Sequence, residues 1–370
     1  MPSHFASFVA KISHLRVAPF ALDASHARAQ TSSVRIISGI RQLEAPFPAS
    51  VVTIGNFDGV HLGHQALIYR LVEAAKMRTA PAVAITFEPH PIKVLHPERE
   101  LHRIFDLEDL KNQMRALGVD ALAIEPFSRK FSQLPPEKFV LDWIFKPFNP
   151  SVLVVGYDFS FGAHRQGSID FLQERGRHLG FEVEVVAPVK VGDVIVSSTR
   201  IRQAVEAGDV ELATLLLGRH FYITGLVEKG VGRGRTIGVP TANLRTRAEM
   251  IPARGVYAAL AEVRGKHWPA AVNIGFNPTF EGAGALTVEA HLIGFPGEAK
   301  PLEGTIARAQ DTAGTGDIYG ENVRLDFLAR LREEKKFSGV TELVAQIKND
   351  LADAHRIASA ALASAGKGGG

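Results

Sequence analysis

The sequence predicts two domains of different class: an α/β domain on a doubly wound parallel sheet, then an antiparallel β-barrel with a C-terminal helix. Three observations carry this. From residue 50 to about 197, short β-branched runs alternate with helical stretches of ten or more residues, which calls for parallel strands with helices on both faces. From Phe221 to Phe327 the runs are short, β-rich and punctuated by Gly and Pro, the pattern of an antiparallel barrel or sandwich. A length of 370 residues accommodates two to three domains, and no internal repeat relates the halves.

The first domain is expected over 34–197. Val51–Ile54 is a β-branched run ending at Gly55. A helix follows from about Leu62, with Leu67, Leu71 and Ala75 on one stripe and Ile68 and Val72 beside it. Then come Ala82–Phe87 (strand), Leu107–Leu117 (helix), Asp120–Ile124 (strand) and Pro136–Phe145 (helix). Val152–Val155, Ile169–Leu179 and Glu182–Val186 complete the alternation as strand, helix and strand. Residues 198–217 read as a helical connector of one or two short helices. The second domain, 218–360, has strands at Tyr222–Val227, Gly255–Val263, Ala270–Ile274, Leu286–Ile293 and Val323–Phe327. It closes with a helix over 338–360 carrying Val340, Leu343, Val344, Ile347 and Leu351 on its apolar stripe. The Gly-Lys-Gly-Gly-Gly terminus makes 361–370 a flexible tail.

Composition removes several classes of function. There is no cysteine, which excludes a disulfide framework, a thiolate metal site and a Cys nucleophile, and suits a reducing, cytoplasmic setting. No apolar run reaches the roughly 18 residues of a membrane span, so no membrane association is expected. The net charge is +3, and residues 1–33 hold most of it, with Lys11, Arg16 and Arg28 against Asp23 alone. The nearly neutral body argues against a nucleic-acid partner. Residues 1–33 are expected as a disordered extension rather than a targeting segment, since they show no clear amphipathic stripe.

In parallel sheets ligands bind beyond the carboxyl ends of the strands, where Gly55, Glu88-Pro89-His90 and Gly156 fall. Residues 55–64, Gly-Asn-Phe-Asp-Gly-Val-His-Leu-Gly-His, follow a buried strand and open a helix. Gly55 and Gly59 let backbone approach a ligand. His61 and His64 stand three apart, so both rings can face one point. The helix N-terminus adds free N–H groups and a positive partial charge. Two imidazoles at a helix start suit the charge of a phosphoryl group undergoing in-line displacement. A His-x-x-His pair alone is weak evidence, and a zinc site lacks a third ligand nearby. A Walker A loop is excluded, because no Gly-Lys-Ser/Thr occurs. Further on, Ser198 and Thr199 open a helix, where they serve equally as caps or phosphate contacts, and Arg202 beside them can clamp phosphate. Asp158 reads as a turn residue or a nucleotide contact.

Residues 230–244 form a second constellation, Gly-Val-Gly-Arg-Gly-Arg-Thr-Ile-Gly-Val-Pro-Thr-Ala-Asn-Leu. The spacing is not that of a dinucleotide fold. A loop with two arginines suits polyphosphate, although a Gly-rich hairpin with solvated arginines explains it as well. Thr241 and Asn243, two apart on an extended strand, offer neutral oxygens to one side, as a weakly held Mg²⁺ requires. Alternation puts Thr287, Glu289 and His291 on the face opposite Leu286, Val288, Ala290 and Leu292. Glu289 is there either a solvent-facing strand residue or a general base.

These stretches resemble the bifunctional riboflavin kinase/FMN adenylyltransferase family, the bacterial FAD synthetases. The first half matches through the 55–64 string, Thr86-Phe87-Glu88-Pro89-His90-Pro91, Val155-Gly156-Tyr157-Asp158-Phe159-Ser160-Phe161-Gly162 and Ser197-Ser198-Thr199-Arg200-Ile201-Arg202. The second matches through the 230–244 string, Gly255-Val256-Tyr257, Asn273-Ile274-Gly275-Phe276-Asn277-Pro278-Thr279-Phe280, Val288-Glu289-Ala290-His291-Leu292, Asp317-Ile318-Tyr319-Gly320 and Leu331-Arg332-Glu333-Glu334-Lys335-Lys336-Phe337. The resemblance covers roughly residues 34–355. It implies phosphorylation of riboflavin to FMN by the second domain and adenylylation of FMN to FAD, with release of pyrophosphate, by the first. It implies ATP, riboflavin and FMN as substrates, Mg²⁺ near Thr241 and Asn243, and apo-flavoproteins as recipients of FAD. His61 and His64 would hold the ATP phosphates, with Ser198, Thr199 and Arg202 gripping the triphosphate and Asp158 near the nucleotide. Gly55, Phe57, Asp58 and Gly63 would complete the nucleotide site. Gly232, Arg233, Gly234, Arg235 and Pro240 would line the kinase site, with Glu289 as the base on the riboflavin 5′-hydroxyl. One departure stands out: Pro296–Gly316 inserts about twenty residues where the family has a short connection, and a mobile surface loop is expected there.

Overall fold

The computed structural model describes residues 33–228, 239–276, 286–295 and 318–366. These fall into two compact units, the second taking His102–Ile104 and everything from Ser198 onward. The Gly232–Arg235 loop, the Pro296–Gly316 insertion, residues 1–32 and residues 367–370 lie outside the described residues.

The first unit is a six-stranded parallel sheet in the order β1-β4-β3-β2-β5-β6. Its elements are β1 (Arg35–Ser38), β2 (Ser50–Ile54), α1 (Leu62–Arg78), β3 (Ala82–Glu88), α2 (Leu107–Ala116) and β4 (Ala121–Pro126). A helix over 136–148 (α3), β5 (Pro150–Gly156), α4 (Ile169–Leu179) and β6 (Glu182–Val186) follow, then a small hairpin of β7 (Lys190–Val191) and β8 (Val194–Ile195). The chain moves from β2 to β3 and β4 on one side, then returns to build β5 and β6 on the other. The crevice at that reversal opens beyond the carboxyl ends of β2 and β5.

Alternation along each strand fills both faces. Val51, Ala84, Leu122 and Val154 pack with Leu67, Ile68 and Leu71 of α1 and Met114 of α2. Val52, Ile54, Val83, Ile85, Leu153 and Val155 pack with Phe139, Trp143, Ile144 and Phe148 of α3 and Leu172 of α4. The middle of α3, Val140–Phe145, widens into a π-helical turn. The helix runs three residues past its expected end, to Phe148, which is fully buried.

The second unit begins with α5 (Ser198–Ala207) and α6 (Val210–Leu217). These helices, expected as a connector, are tied into the unit: the Arg330 N–H donates to Glu211 and the Arg330 guanidinium to the Ala207 carbonyl. The barrel closes in the order β10-β13-β12-β11-β14-β9, all antiparallel. Its strands are β9 (Phe221–Glu228), β10 (Ala242–Thr246), β11 (Gly255–Val263), β12 (Lys266–Phe276), β13 (Leu286–Leu292) and β14 (Asn322–Arg332).

The last helix, α7 (Val340–Gly366), lies against the barrel through Leu351 and Ala354 on Val239, Ala258 and Ile293, and through Ala358 on Leu260 and Leu328. Residues 361–366, expected in the flexible tail, therefore continue the helix, because Ala361 and Leu362 extend the same apolar stripe onto that patch. Strand β14 likewise outruns its expected end at Phe327, since β11 offers it backbone partners as far as Val256↔Arg332.

One buried ion pair joins α7 to the barrel. Arg332, at the end of β14, donates from Nε and Nη2 to both carboxylate oxygens of Asp350 at 2.8–3.1 Å, and Gln346 adds a third donor at 2.9 Å. Asp350 is buried while Arg332 reaches the surface. Replacing Asp350 by Ala leaves Arg332 and Gln346 without their acceptor and should cost about 2–4 kcal/mol. A urea titration of the full chain, expected to show a lower midpoint at unchanged slope, checks this.

Candidate active sites

The first site grows from the end of β2. Five buried residues fix that strand, and Gly55 follows it, donating its N–H to the Ile85 carbonyl at 3.0 Å. The turn then passes through two non-glycine residues in the left-handed region, Phe57 (φ 48°) and Val60 (φ 38°). Each costs on the order of 1–3 kcal/mol and persists only where surrounding packing over-determines it. That packing is visible: Phe57 and Val60 are buried in the core beneath α1, and Asp58 is buried between them.

His61 caps α1. Its Nδ1 accepts the His64 N–H at 3.3 Å, so a neutral His61 carries its proton on Nε2. The His61 and His64 rings stack, with centroids 3.7 Å apart and planes inclined 15°. Phe57 meets His64 edge-on at 5.4 Å. Gly63 gives the stack room: a Cβ there would lie a tight 3.2 Å from Nδ1 and Cε1 of His61 and would shift that ring by a few tenths of an ångström. The spacing argument for two rings at one point thus holds in the structure. Burial, and secondarily the neighbouring His61, push the His64 pKa well below the ordinary 6.5, so this imidazole is neutral. Its Nδ1 is buried without a hydrogen-bond partner among the described residues. A buried polar atom left unpaired beside a helix N-terminus is a place where a ligand donor or acceptor gains most.

Asp158 lies in the exposed turn after β5, where the Phe159 N–H closes on the Gly156 carbonyl at 3.1 Å. Ser198 and Thr199 occupy the first turn of α5 in the second unit. Arg202, one turn on, donates Nε to the His102 carbonyl at 2.8 Å, one of its five N–H donors.

Sequence reasoning missed a belt of rings at the carboxyl edge of the parallel sheet. Phe87 is the penultimate residue of β3, Phe127 follows β4, and Phe131 contacts both at 5.6–5.8 Å. Phe159 and Phe161, beyond β5, stack at 5.5 Å, and Phe139 links Phe131 to Phe161. A signal existed: of 22 phenylalanines, eight fall between 127 and 171. Phe139 and Phe161 are buried in the core, while the half-buried rings of Phe87, Phe127, Phe131 and Phe159 present an apolar edge suited to a flat aromatic ring system.

The second site lies on the barrel. Asn243 of β10 stands opposite Glu289 of β13, and Glu289 stands opposite Asn273 of β12. Their chain neighbours Val288, Ala290, Val272 and Ile274 are buried inside, so all three polar side chains share the outer face. Thr241, just ahead of β10, donates its hydroxyl to the Glu289 carboxylate at 3.4 Å. Its position is set from behind, where His291 Nδ1–H donates to the Pro240 carbonyl at 2.7 Å. The expected grouping of Thr241, Asn243 and Glu289 is therefore present. A hydroxyl, an amide and a carboxylate on one patch are the oxygen donors that a hard divalent cation takes.

The chain matches two family models in succession: FAD synthetase over residues 44–200 and riboflavin kinase over residues 217–358. Among curated proteins it is similar to the bifunctional riboflavin kinase/FMN adenylyltransferase of Pseudomonas fluorescens, 35% identical over 88% of this chain and 98% of that protein. The Escherichia coli K12 protein of the same description is 36% identical over 86% of this chain and 96% of its own length. That of Bacillus subtilis is 35% identical, covering 83% and 92%. A crystal structure described as a macrolide-efflux protein from Streptococcus pneumoniae shares the fold, with TM-score 0.73 and 31% identity over 88% of this chain and 99% of that one. Among the described residues here, no helix is long and apolar enough to cross a membrane. With a strained turn that stacks two histidines at a helix start, a Thr-Asn-Glu patch on a closed barrel, and matching models over both halves, the chain belongs to the bifunctional riboflavin kinase/FMN adenylyltransferase family, the FAD synthetases.

Proposed function

We propose that residues 218–360 phosphorylate riboflavin at the Thr241–Asn243–Glu289 patch and that residues 34–197 adenylylate FMN at the His61–His64 pair. The observation that carries the kinase assignment is the Thr241 hydroxyl on the Glu289 carboxylate, one strand from Asn243. Glu289 takes the proton of the primary hydroxyl of riboflavin, the freed oxygen attacks the γ-phosphorus of ATP, and ADP leaves. Thr241 and Asn243 would hold Mg²⁺, which supplies neutralising charge to the phosphates. In the other domain a phosphate oxygen of FMN attacks the α-phosphorus of ATP and pyrophosphate leaves. The nucleophile there is already an anion, so no base is needed. His61, His64 and the first N–H groups of α1 donate to the phosphate oxygens as charge shifts toward pyrophosphate. The Phe87–Phe131 belt offers a wall for the isoalloxazine rings. A cytoplasmic setting supplies the ATP and the apo-flavoproteins that take up FAD.

Three outcomes follow from these assignments. With riboflavin, ATP and Mg²⁺ supplied, the full-length double variant His61→Ala/His64→Ala should accumulate FMN without FAD. Loss of both products in a folded variant would refute separate sites. Glu289→Gln should slow FMN formation at least about a hundredfold, while FAD formation from added FMN stays near wild type.

The third concerns pH. The folded state holds His64 neutral while the unfolded chain protonates it near 6.5, so the unfolded state binds the extra proton as pH falls. Stability from this group is complete above 6.5 and declines below it, down to the depressed folded value. Urea midpoints of His64→Asn should therefore fall less steeply than wild type below pH 6.5, by up to about 1.4 kcal/mol per pH unit.

A further inference from the structure

The loop that leaves β5, residues 157–167, holds strain that no helix end or hairpin explains. Seven non-glycine residues among those described have φ in the left-handed region. Thr79 and Asn149 end helices, Arg264 turns the β11–β12 hairpin, and Phe57 and Val60 form the histidine turn. His164 (φ 52°) and Arg165 (φ 59°) remain, the one adjacent pair, and both side chains are exposed. No burial of their own offsets the cost, unlike at Phe57 and Val60. Backbone closure holds them instead. Phe161 and Gly167 exchange two N–H···O bonds at 2.9–3.1 Å, and the Ala163 N–H donates to the Leu134 carbonyl at 2.8 Å. A Cβ at Gly167 would lie 2.6 Å from the Phe161 ring, so ring and loop are pressed together.

This closure keeps Arg165 at the carboxyl edge of the sheet. Its Nε donates to the Ser160 hydroxyl at 2.7 Å, and Ser160 lies between Phe159 and Phe161, the stacked pair of the ring belt. Among the described residues no carboxylate pairs with this guanidinium, so its terminal Nη donors face solvent. β5 runs parallel beside β2, with Val154 against Thr53. Neighbouring strands lie about 4.8 Å apart, so the 157–167 loop and the histidine turn rise from the same end of adjacent strands. Two anions must meet at this edge. The ATP phosphates have the His61–His64 pair and the first N–H groups of α1. The phosphate of FMN has no cation among the residues assigned to this site, and a guanidinium matches a phosphate with two parallel N–H donors.

We propose that Arg165 binds the phosphate of FMN for adenylyl transfer, its position fixed by the strained His164–Arg165 step and by the bond to Ser160. This rests on reading the His61–His64 edge as the adenylylation site. FMN is then gripped at two ends, its rings on the Phe belt and its phosphate on Arg165, and riboflavin forgoes the second contact. The cation also offsets the repulsion between the attacking phosphate and the triphosphate. Arg165 selects by charge where the belt selects by shape.

The test uses full-length Arg165→Ala and Arg165→Gln, the second keeping most of the side chain and losing the charge. The readouts are the KM values for FMN and ATP in FAD formation, the rate of FMN formation from riboflavin, and inhibition of FAD formation by lumiflavin, which has the ring system without a phosphate. Both variants should raise the FMN KM at least about tenfold. The ATP KM, the lumiflavin inhibition constant and FMN formation should stay within about twofold of wild type, because none of them reads the FMN phosphate. Arg165 is exposed, so urea midpoints should not move. An unchanged FMN KM in the folded variants, or an equal loss for lumiflavin or ATP, overturns the proposal. If His61→Ala/His64→Ala abolishes FAD formation while the Arg165 variants behave as wild type, only the phosphate assignment falls. If that double variant keeps full FAD formation, the reading of the site falls and takes this one with it.

Discussion

The first unit depends on one turn. Between β2 and α1 the chain must reverse within a few residues and still present two histidines at the helix start, and it does so by holding Phe57 and Val60 in a conformation that side chains normally avoid. The strain is tolerable because both side chains sink into the core that α1 shares with the sheet. The same burial leaves His64 Nδ1 without a hydrogen-bond partner among the described residues and keeps the ring neutral. Packing energy thus holds a strained turn in place and, with it, the stacked histidine pair at the helix start.

The second unit reaches preorganisation by a different route. A closed barrel has no edges, so register alone decides which residues meet. Asn243, Glu289 and Asn273 form a row because β13 lies between β10 and β12, and a slip of one residue on any strand would bury the row and expose Val288 or Val272. The apolar inner face therefore fixes the polar outer one. α7 adds to this by covering β11, β12 and β14 and by anchoring Asp350 to Arg332.

How much of this was legible follows from which physical signals are local. The alternation of β-branched runs and helical stripes gave the α/β class and the Gly- and Pro-punctuated runs gave the barrel; Val51–Ile54 to Glu182–Val186 appear in order, the central strands because burial on both faces leaves a plain hydrophobic record and the partly exposed β6 through its valines. β1 was missed: Arg35–Ser38 is a four-residue edge strand whose only sheet partner is β4. The end of α7 was misjudged because alanines over 354–361 carry little hydropathy, although they are small enough to lie flat on the barrel. The histidine pair and the Thr241–Asn243 pair were legible because spacing puts their members on one side, whereas Glu289 joined them only through the family resemblance and meets Asn243 through strand register. The Phe belt was not, since it joins Phe87 to Phe127 and Phe139 to Phe161, 40 and 22 residues apart, through packing that no local window records.

The two sites differ as their nucleophiles do. A primary alcohol must lose a proton to attack phosphorus, so its site needs a carboxylate in reach; in the proposed assignment that is Glu289, which lies on a strand face next to the neutral oxygens of Thr241 and Asn243. A phosphate monoester is already ionised at neutral pH, so a carboxylate there would only repel it. Its site needs donors instead, and the proposed assignment finds them at a strand-to-helix turn, as backbone N–H groups and imidazoles at α1. Neither arrangement could serve the other reaction without losing its own. A chain that performs both steps therefore needs two folds, one ending strands into helix starts and one lining up side chains across strands.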